Sequence, residues 1–443
     1  MRPRKKQIPI SWKQCSCARV MSDPDPSLAA ELPPTPECPE HPYAVLRNRN
    51  FVLYLIGRFI ASLGQQMLTV AVGWELYERT HSALALGLVG LSQIVPMFLF
   101  TLPAGHWADQ HDRKRIILWM TALIALSGAS LTVVSAAQAP AVWMYACLFV
   151  AASGRTFLWP ASSSFLPQLV PRADFPRAVA WSTGSFHLSS VVGPAAGGAL
   201  IAWMHRASVI YALHAIATLV CLALLSLVRS QGSAPRREAM SLVSLGAGFK
   251  FVFASRILFG IITLDLFAVL LGGATALLPI YAKDILRAGP SGLGLLQGAL
   301  PLGSLISALI LAHRPPMEKA GRSLIWAVAG FGLATIGFGL STRFWFSWAM
   351  LFLCGATDNI SVVVRHTLVQ LLTPDEKRGR VSAVNSLFIG TSNELGGFES
   401  GVVAQAFGPV FSVVSGGIGT LFVVAAVAWI WPEIRRYGRL GQR

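Results

Sequence analysis

Seven ionisable residues lie inside long apolar stretches of the sequence, where hydrocarbon would surround them. A charged side chain in a bilayer is costly, so such residues usually serve a function and have a partner of opposite charge. Carboxyl groups in this setting can carry protons, and arginines can neutralise carboxylates. The chemistry that the set suggests is therefore proton transfer and charge pairing within a membrane. The seven are Arg58, Arg155, Asp265, Asp358, Arg365, Glu394 and Glu399.

The composition identifies the surroundings as a membrane. Of the 443 residues, 54% are hydrophobic and 13% are charged, whereas soluble domains carry roughly a quarter charged residues. Such a chain cannot cover a water-facing surface, which excludes large soluble domains and disordered proteins. The net charge of +16 would suggest a nucleic-acid partner in a soluble protein, but in a membrane protein it usually marks the cytoplasmic loops.

Apolar runs long enough to cross a bilayer occur twelve times. A hydrocarbon core of about 30 Å needs about 20 helical residues, and twelve spans place both termini on the same side. If that side is cytoplasmic, 28 of the 36 Lys and Arg residues lie in inner segments and five in outer loops. This asymmetry predicts cytoplasmic N and C termini and explains the charge without nucleic acid. The spans lie near 51–75, 84–106, 116–137, 141–163, 178–203, 207–228, 257–281, 292–312, 324–341, 344–366, 381–404 and 408–431.

An internal repeat divides the spans into two halves. Adding 207 to the residue numbers of the first spans places Gly87 on Gly294, and adding 203 to those of spans 4 and 5 places Gly198 on Gly401. Repeats of this kind are typical of transporters whose two bundles rock around a central cavity. Both Met1 and Met21 are possible starts of the native chain. We predict a disordered, Pro-rich N-terminal tail (1–45), an N-terminal six-helix bundle (46–228), a cytoplasmic linker loop (229–256), a C-terminal six-helix bundle (257–432) and a basic tail (433–443).

The same shifts place Arg58 on Asp265 and Arg155 on Asp358. Helical rise puts Arg58 and Asp265 about 10 to 12 Å from the inner ends of their spans. It puts Arg155 and Asp358 about 21 Å from the outer ends of theirs, so all four residues fall in the inner half of the bilayer. We expect them to line an inner cavity or gate and to neutralise one another across the halves, so that protonation of either aspartate couples a proton to alternation. A static ion pair is the alternative. Arg365 is interpreted as an anchor that reaches the inner interface.

Span 11 carries further candidates. Glu394 and Glu399 lie about 20 and 27 Å from its inner end. Either carboxyl group could carry the proton, and Glu399 could instead be a hydrated cap near the outer interface. Asn385 and Asn393, on the same span, are predicted to donate hydrogen bonds to a substrate.

The inner loop between spans 2 and 3 reads GHWADQHDRKR over residues 105–115. The glycine, the aspartate four residues later and the basic cluster resemble the signature loop of the major facilitator superfamily, although positions 110 and 112 depart from it. In that superfamily the loop acts as a latch between the halves. The resemblance therefore implies this role for Gly105, Asp109, Arg113 and Lys114, and an ordinary basic inner loop is the alternative.

Two further motifs extend the resemblance to residues 44–432. Span 5 carries Gly193, Pro194, Gly197 and Gly198, a run similar to the motif of antiporter-type exporters in this superfamily; close helix packing alone would also explain it. Residues 378–401 of span 11 and 275–284 of span 7 resemble the bacterial branch that contains the enterobactin exporter and macrolide-efflux proteins.

The resemblance implies an all-α membrane protein with twelve transmembrane helices in two six-helix halves. We expect a proton-coupled exporter of small amphipathic molecules, such as drugs or siderophores, that acts as a monomer in the bacterial inner membrane. An uptake symporter or facilitator of the same fold and a non-transporting scaffold or sensor are the alternatives. The sequence has no ATP-binding loop, hydrolase elbow or zinc motif, so neither an enzyme nor a metal or cofactor is expected. The expected partners are a small-molecule substrate, protons and the lipid bilayer, without nucleic acid.

Overall fold

The computed structural model describes residues 43–229, 242–315, 317, 319–436 and 438. The chain divides at Ala44 into two units, and of the first unit the structure describes only Tyr43 and Ala44. Most of the predicted N-terminal tail therefore lies outside the described residues. Within Val45–Arg443 the described residues form helices and no strands, which confirms the all-α prediction.

The helices follow one another with short connections. Short 3-10 turns lie at Ala44–Arg47, Arg172–Asp174 and Ala274–Leu277, and a π-helical turn lies at Tyr281–Ile285. The α-helices are α1 Arg49–Thr80, α2 Ala83–Gln110, α3 Arg113–Ala136, α4 Ala141–Leu169, α5 Phe175–Met204, α6 Ser208–Leu227, α7 Leu242–Ala254, α8 Arg256–Leu271, α9 Leu278–Ile280, α10 Gly289–Ala312, α11 Ala320–Gly339, α12 Phe344–Leu372, α13 Asp375–Phe407, α14 Pro409–Ile430 and α15 Pro432–Arg436.

Eleven helical stretches of the described residues are long and apolar enough to cross a membrane, so the chain is a multi-pass membrane protein. The predicted span 11 corresponds to α13, which has 33 residues and is not among the eleven. Its length is sufficient, but its charged and polar residues, Glu394 and Glu399 included, make it less apolar than the others.

Two predicted segments differ from the structure. The predicted span 7 is continuous, whereas the structure ends α8 at Leu271 and continues as a 3-10 turn, α9 and a π turn. The break lies at Gly272 and Gly273, where a methyl group on Gly273 would lie 2.6 Å from the carbonyl carbon of Gly396, so only glycine permits this approach. The predicted linker loop contains α7, because residues 242–254 are mostly apolar and α7 packs on α13.

The helices pack as two bundles, and each bundle has one end on the same side of the molecule as the other. In the first bundle α1 packs on α5 and α6, and α3 packs on α4 and α6; in the second, α8 packs on α13 and α14, and α12 packs on α10 and α11. We call proximal the end where Asn50 bonds to Arg229 and where Arg256 lies 3.5 Å from Glu433. The opposite end is distal.

The bundles meet along two lines, α2 against α13 and α5 against α10. A methyl group on Gly401 would lie 2.6 Å from the Cα of Gly87, and one on Gly198 would lie 2.9 Å from the Cα of Gly294. Glycine is required at both crossings because backbones this close leave no room for a Cβ. The repeat that equates Gly87 with Gly294 and Gly198 with Gly401 therefore relates the two contacts to each other.

Candidate functional site

A cavity of about 490 Å³ lies where the two bundles meet. Its walls come from α1, α2, α4 and α5 of the first bundle and from residues 275–279, α10 and α13 of the second. Leucine, valine and proline side chains form most of the apolar wall. The polar lining residues are Gln65, Gln66, Thr69, Gln93, Ser190, Thr275, Gln297, Asn393 and Glu394.

A chain of polar side chains crosses from one bundle to the other at this cavity. Arg155 of α4 donates to Gln93 Oε1 at 2.6 Å and to Gln65 Oε1 at 3.4 Å. Gln93 Nε2 then donates to Glu394 Oε2 of α13 at 3.3 Å. The carboxamide of Gln93 therefore links the arginine of the first bundle to the carboxylate of the second, and a change in either charge would be felt across the contact.

Glutamines complete this arrangement, and none of them is among the predicted site residues. Gln65, Gln66 and Gln93 lie in apolar spans, and so does Gln297 of α10. A buried carboxamide needs hydrogen-bond partners just as a charge does, so glutamines within spans were the available signal. Their helical positions alone could not show which of them face a common cavity.

The structure pairs Asp265 of α8 with Arg365 of α12 in a buried ion pair within the second bundle. Arg365 is only 2% exposed, so its interpretation as an interfacial anchor is wrong: α12 turns this side chain toward α8 rather than toward lipid. Arg58, the expected partner of Asp265, is half-buried near Tyr54 and Cys221. It forms no ion pair with the described residues.

The remaining predicted site residues are scattered. Asn393 lines the cavity beside Glu394, whereas Asn385 is 3% exposed and is not among the lining residues. Glu399 lies outside the cavity, and its carboxylate accepts from Ser400 Oγ at 3.4 Å. Asp358 of α12 is half-buried and forms neither an ion pair nor a hydrogen bond with the described residues.

The signature loop is anchored within the first bundle. Asp112 caps α3 through a bond from the Lys114 amide at 2.9 Å, which explains an aspartate at a position where the resemblance failed. Lys114 Nζ donates to the carbonyls of Ser226 and Val228 at the end of α6, where a cation is favoured. Gly105 is buried in α2, Arg113 begins α3, and the side chain of Asp109 lies outside the described part of the structure.

The glycine motif of α5 faces two neighbours. Methyl groups on Gly193 and Gly197 would lie 2.6 Å from Gln66 Cβ and 2.9 Å from Met67 Cα of α1. Gly198, with the carbonyl of Pro194, instead faces Gly294 of α10 in the other bundle. The motif thus joins α5 to its own bundle on one face and to the opposite bundle on another.

Polar contacts between the bundles continue at the distal end, where none was predicted. The Tyr77 hydroxyl of α1 donates to the Asp284 carboxylate in the π turn. Lys283 Nζ lies 5.8 Å from the ring centroids of both Trp74 and Tyr77. None of these four residues was predicted as a site residue, because Trp, Tyr and Lys near the ends of spans are ordinary at a membrane interface. These contacts join α1 of the first bundle to the π turn of the second at the distal end.

The chain matches the family model for transmembrane secretion effectors over residues 40–436. It is 27% identical over 397 residues to the enterobactin exporter EntS of Escherichia coli O1:K1 / APEC, covering 87% of this chain and 93% of that protein. The same figures hold for the enterobactin exporter EntS of Shigella boydii serotype 18.

Solved structures show the same fold. A bacterial homologue of the human lysosomal transporter Spinster, in an inward-facing and unoccupied conformation, has a TM-score of 0.70 at 14% identity and covers 90% of this chain and 99% of its own. A POT family transporter in complex with 5-aminolevulinic acid has a TM-score of 0.69 at 12% identity, covering 87% and 97%.

The fold and the cavity define a transporter of the major facilitator type and not an enzyme. Within that class the chain belongs to the transmembrane secretion effector family. The predicted superfamily and the predicted likeness to exporters are thereby confirmed.

Proposed function

We propose that the protein is a proton-coupled exporter of small amphipathic molecules, working by alternating access in the bacterial inner membrane. The observation that carries this proposal is the chain from Arg155 through Gln93 to Glu394, which joins the two bundles at the cavity wall. Protonation of Glu394 would remove its attraction to the first bundle and weaken the contact. Substrate and proton would thus move in alternate steps, each through the cavity that opens when the two bundles separate.

The proposal includes the topology. The helix α13 also crosses the membrane, as the eleventh crossing along the chain, which brings the total to twelve in two six-helix bundles. Its polar residues are tolerated because they face the cavity and neighbouring helices rather than lipid. The proximal end, which carries the basic loops, is cytoplasmic. One chain contains the whole cavity, so the protein acts as a monomer. The close approaches between the bundles lie distal, as in a transporter closed toward the outside.

Of the candidate groups, we assign the coupling proton to Glu394. The pair of Asp265 with Arg365 lies within one bundle, so its protonation would not separate the bundles directly. Arg58 and Asp358 have no ion-pair partner among the described residues, and they support the inner gate only in a conformation that brings them together. Glu399 lies outside the cavity and serves as the matched control.

The experiment is transport in proteoliposomes with a lumenal pH dye and an imposed pH gradient. The probes are enterobactin and the amphipathic dye rhodamine 6G. We expect proton movement opposite to substrate movement in the native protein. Glu394→Gln should lose gradient-driven transport yet retain exchange of labelled for unlabelled substrate, because exchange needs no proton release. Glu399→Gln should keep both.

Three results would contradict the proposal. Protons moving in the same direction as substrate would indicate an uptake symporter. Flux of neither probe under any gradient would favour a non-transporting scaffold. Gradient-driven transport that survives Glu394→Gln would remove the coupling role from this carboxyl group.

A further inference from the structure

The central cavity presents hydrogen-bond acceptors to whatever enters it. Gln66 Nε2 donates to Ser190 Oγ at 2.9 Å, and Asn393 Nδ2 donates to the carbonyl of Ile389 at 2.8 Å. The side-chain oxygens of Gln66 and Asn393 therefore have no donor among the described residues. The hydroxyl of Ser190 is also used as a donor, to Phe186. The carboxamide nitrogens of Gln65 and Gln297 have no acceptor among the described residues. Because each carboxamide nitrogen carries two N–H groups, those of Gln66, Gln93 and Asn393 keep one further donor each.

The single ionisable group among the described lining residues is Glu394. Its Oε2 accepts the 3.3 Å bond from Gln93, and its Oε1 has no donor among the described residues. Arg155 does not line the cavity, because its guanidinium is held behind Gln65 and Gln93. A carboxylate in a cavity of low dielectric constant attracts a cation and repels an anion far more strongly than it would in water.

The lining also decides which kind of cation fits. No aromatic ring is among the described lining residues, so ring faces are not there to hold a quaternary ammonium group. A carboxylate oxygen and two amide oxygens instead suit an ammonium group with N–H donors, since charge-assisted hydrogen bonds are the strong ones. The apolar wall, with Leu68, Val72 and Leu148, suits a hydrocarbon body.

We propose that this cavity selects amphipathic amines, placing the protonated amine at Glu394 and the amide oxygens of Gln66 and Asn393, and that it rejects carboxylates of the same shape. The inference rests on the proposed function for the premise that the cavity is the transport site. It adds the chemical class of the substrate.

The test is calorimetric binding to the full-length protein in nanodiscs with four probes that share one adamantane cage. They are 1-adamantylmethylamine, its N,N,N-trimethyl derivative, 1-adamantylmethanol and 1-adamantanecarboxylate. We expect the amine to bind about tenfold tighter than the alcohol and the quaternary ammonium, the factor expected from one hydrogen bond to a charged group. The carboxylate should bind least.

Three variants test whether the preference for the amine depends on the carboxylate of Glu394. Glu394→Gln should reduce amine binding to the level of the alcohol and leave alcohol binding unchanged, which also shows that the cavity remains folded. Glu394→Asp should retain a preference for the amine. Glu399→Gln, on the same helix but outside the cavity, should change neither.

Carboxylate binding as tight as that of the amine overturns the inference, and so does an amine preference that survives Glu394→Gln or the absence of amine binding to the native protein. The two proposals fail separately. Amine selection without gradient-driven transport would leave this inference standing and reject proton-coupled export, whereas proton-coupled export of an anion would do the reverse.

Discussion

The two contacts between the bundles share a backbone geometry and differ in chemistry. At α5–α10, Gly198 lies against Gly294, and Gly298 lies close to the backbone of Val191, without a charged side chain at either approach. At α2–α13, Gly87 lies against Gly401 in the same way, but Gln93 donates to Glu394 one or two turns further in. One contact is a close-packed crossing, and the other carries a charge.

The internal repeat makes this difference specific. Under the same shifts, the positions equivalent to Gln93 and Glu394 are Leu300 and Val191. Leucine and valine do not change charge, so these two positions of the α5–α10 contact do not respond to a proton. The duplicated fold thus supplies two equivalent crossings, and polar residues at one of them give it the capacity to switch.

The largest effect is expected from a side chain placed in the close-packed crossing. Gly198→Val would put a Cβ 2.9 Å from the Cα of Gly294 and force the backbones apart, which typically costs about 1–3 kcal/mol or more. We expect a clear fall in the melting temperature and loss of transport. Gly184→Val on the same helix, where no atom lies within 4 Å of an added Cβ, should be tolerated. A fully active Gly198→Val protein would show that the backbones are not in contact.

The second-largest effect is expected from replacing the charged residues at the α2–α13 contact with apolar ones, as in the α5–α10 contact. The triple substitution Gln93→Leu, Glu394→Val and Arg155→Met should abolish transport while leaving thermal stability equal or higher, since apolar replacement of buried charges is often neutral or stabilising by about 1–4 kcal/mol. Glu394→Val alone should destabilise, because Arg155 loses its counter-charge. Differential scanning fluorimetry compares the two. A triple variant less stable than the single one would contradict this view of the contact.

A smaller effect is expected at the distal contact of Tyr77 with Asp284. Tyr77→Phe removes the bond to Asp284, and hydrogen bonds to charged groups contribute about 1.5–3 kcal/mol. We expect the population of molecules with separated distal ends to be roughly tenfold larger. Double electron–electron resonance between spin labels at positions 78 and 291 measures this population. Tyr145→Phe is the matched control, because its hydroxyl bonds to Ala85 within the first bundle. An unchanged distance distribution in Tyr77→Phe would reject its role in closure.

The smallest effect is expected at the exposed rim of the α2–α13 contact. Gln405 accepts from Ser82 Oγ at 2.9 Å and from the Leu84 amide at 3.3 Å, but water can replace these bonds when they are lost. Gln405→Ala should change stability by less than about 1 kcal/mol and transport rates by about twofold or less. A loss of stability or transport as large as that in Tyr77→Phe would indicate that the rim, and not α1, makes the main contact between the distal ends.

The sequence was sufficient to predict the features that depend on hydropathy or on the internal repeat. Apolar runs located the helices, and the shifts that equate Gly87 with Gly294 and Gly198 with Gly401 found the residues of both crossings without showing that they touch. It failed for the ion pair of Asp265 with Arg365, because pairing depends on how far each helix is rotated about its axis. A rotation of one residue, about 100°, moves a side chain from the bundle interior to lipid.

The sequence by itself determined that this chain crosses a membrane many times, that its spans repeat, and which ionisable residues must find partners. Hydropathy and charge act residue by residue, so they can be read along a line. Only the tertiary structure decided that Arg155 reaches Glu394 through Gln93, that Arg365 belongs to Asp265 and that Tyr77 meets Asp284. Those choices depend on the packing of helices distant in sequence, where one rotation angle decides whether two charges meet.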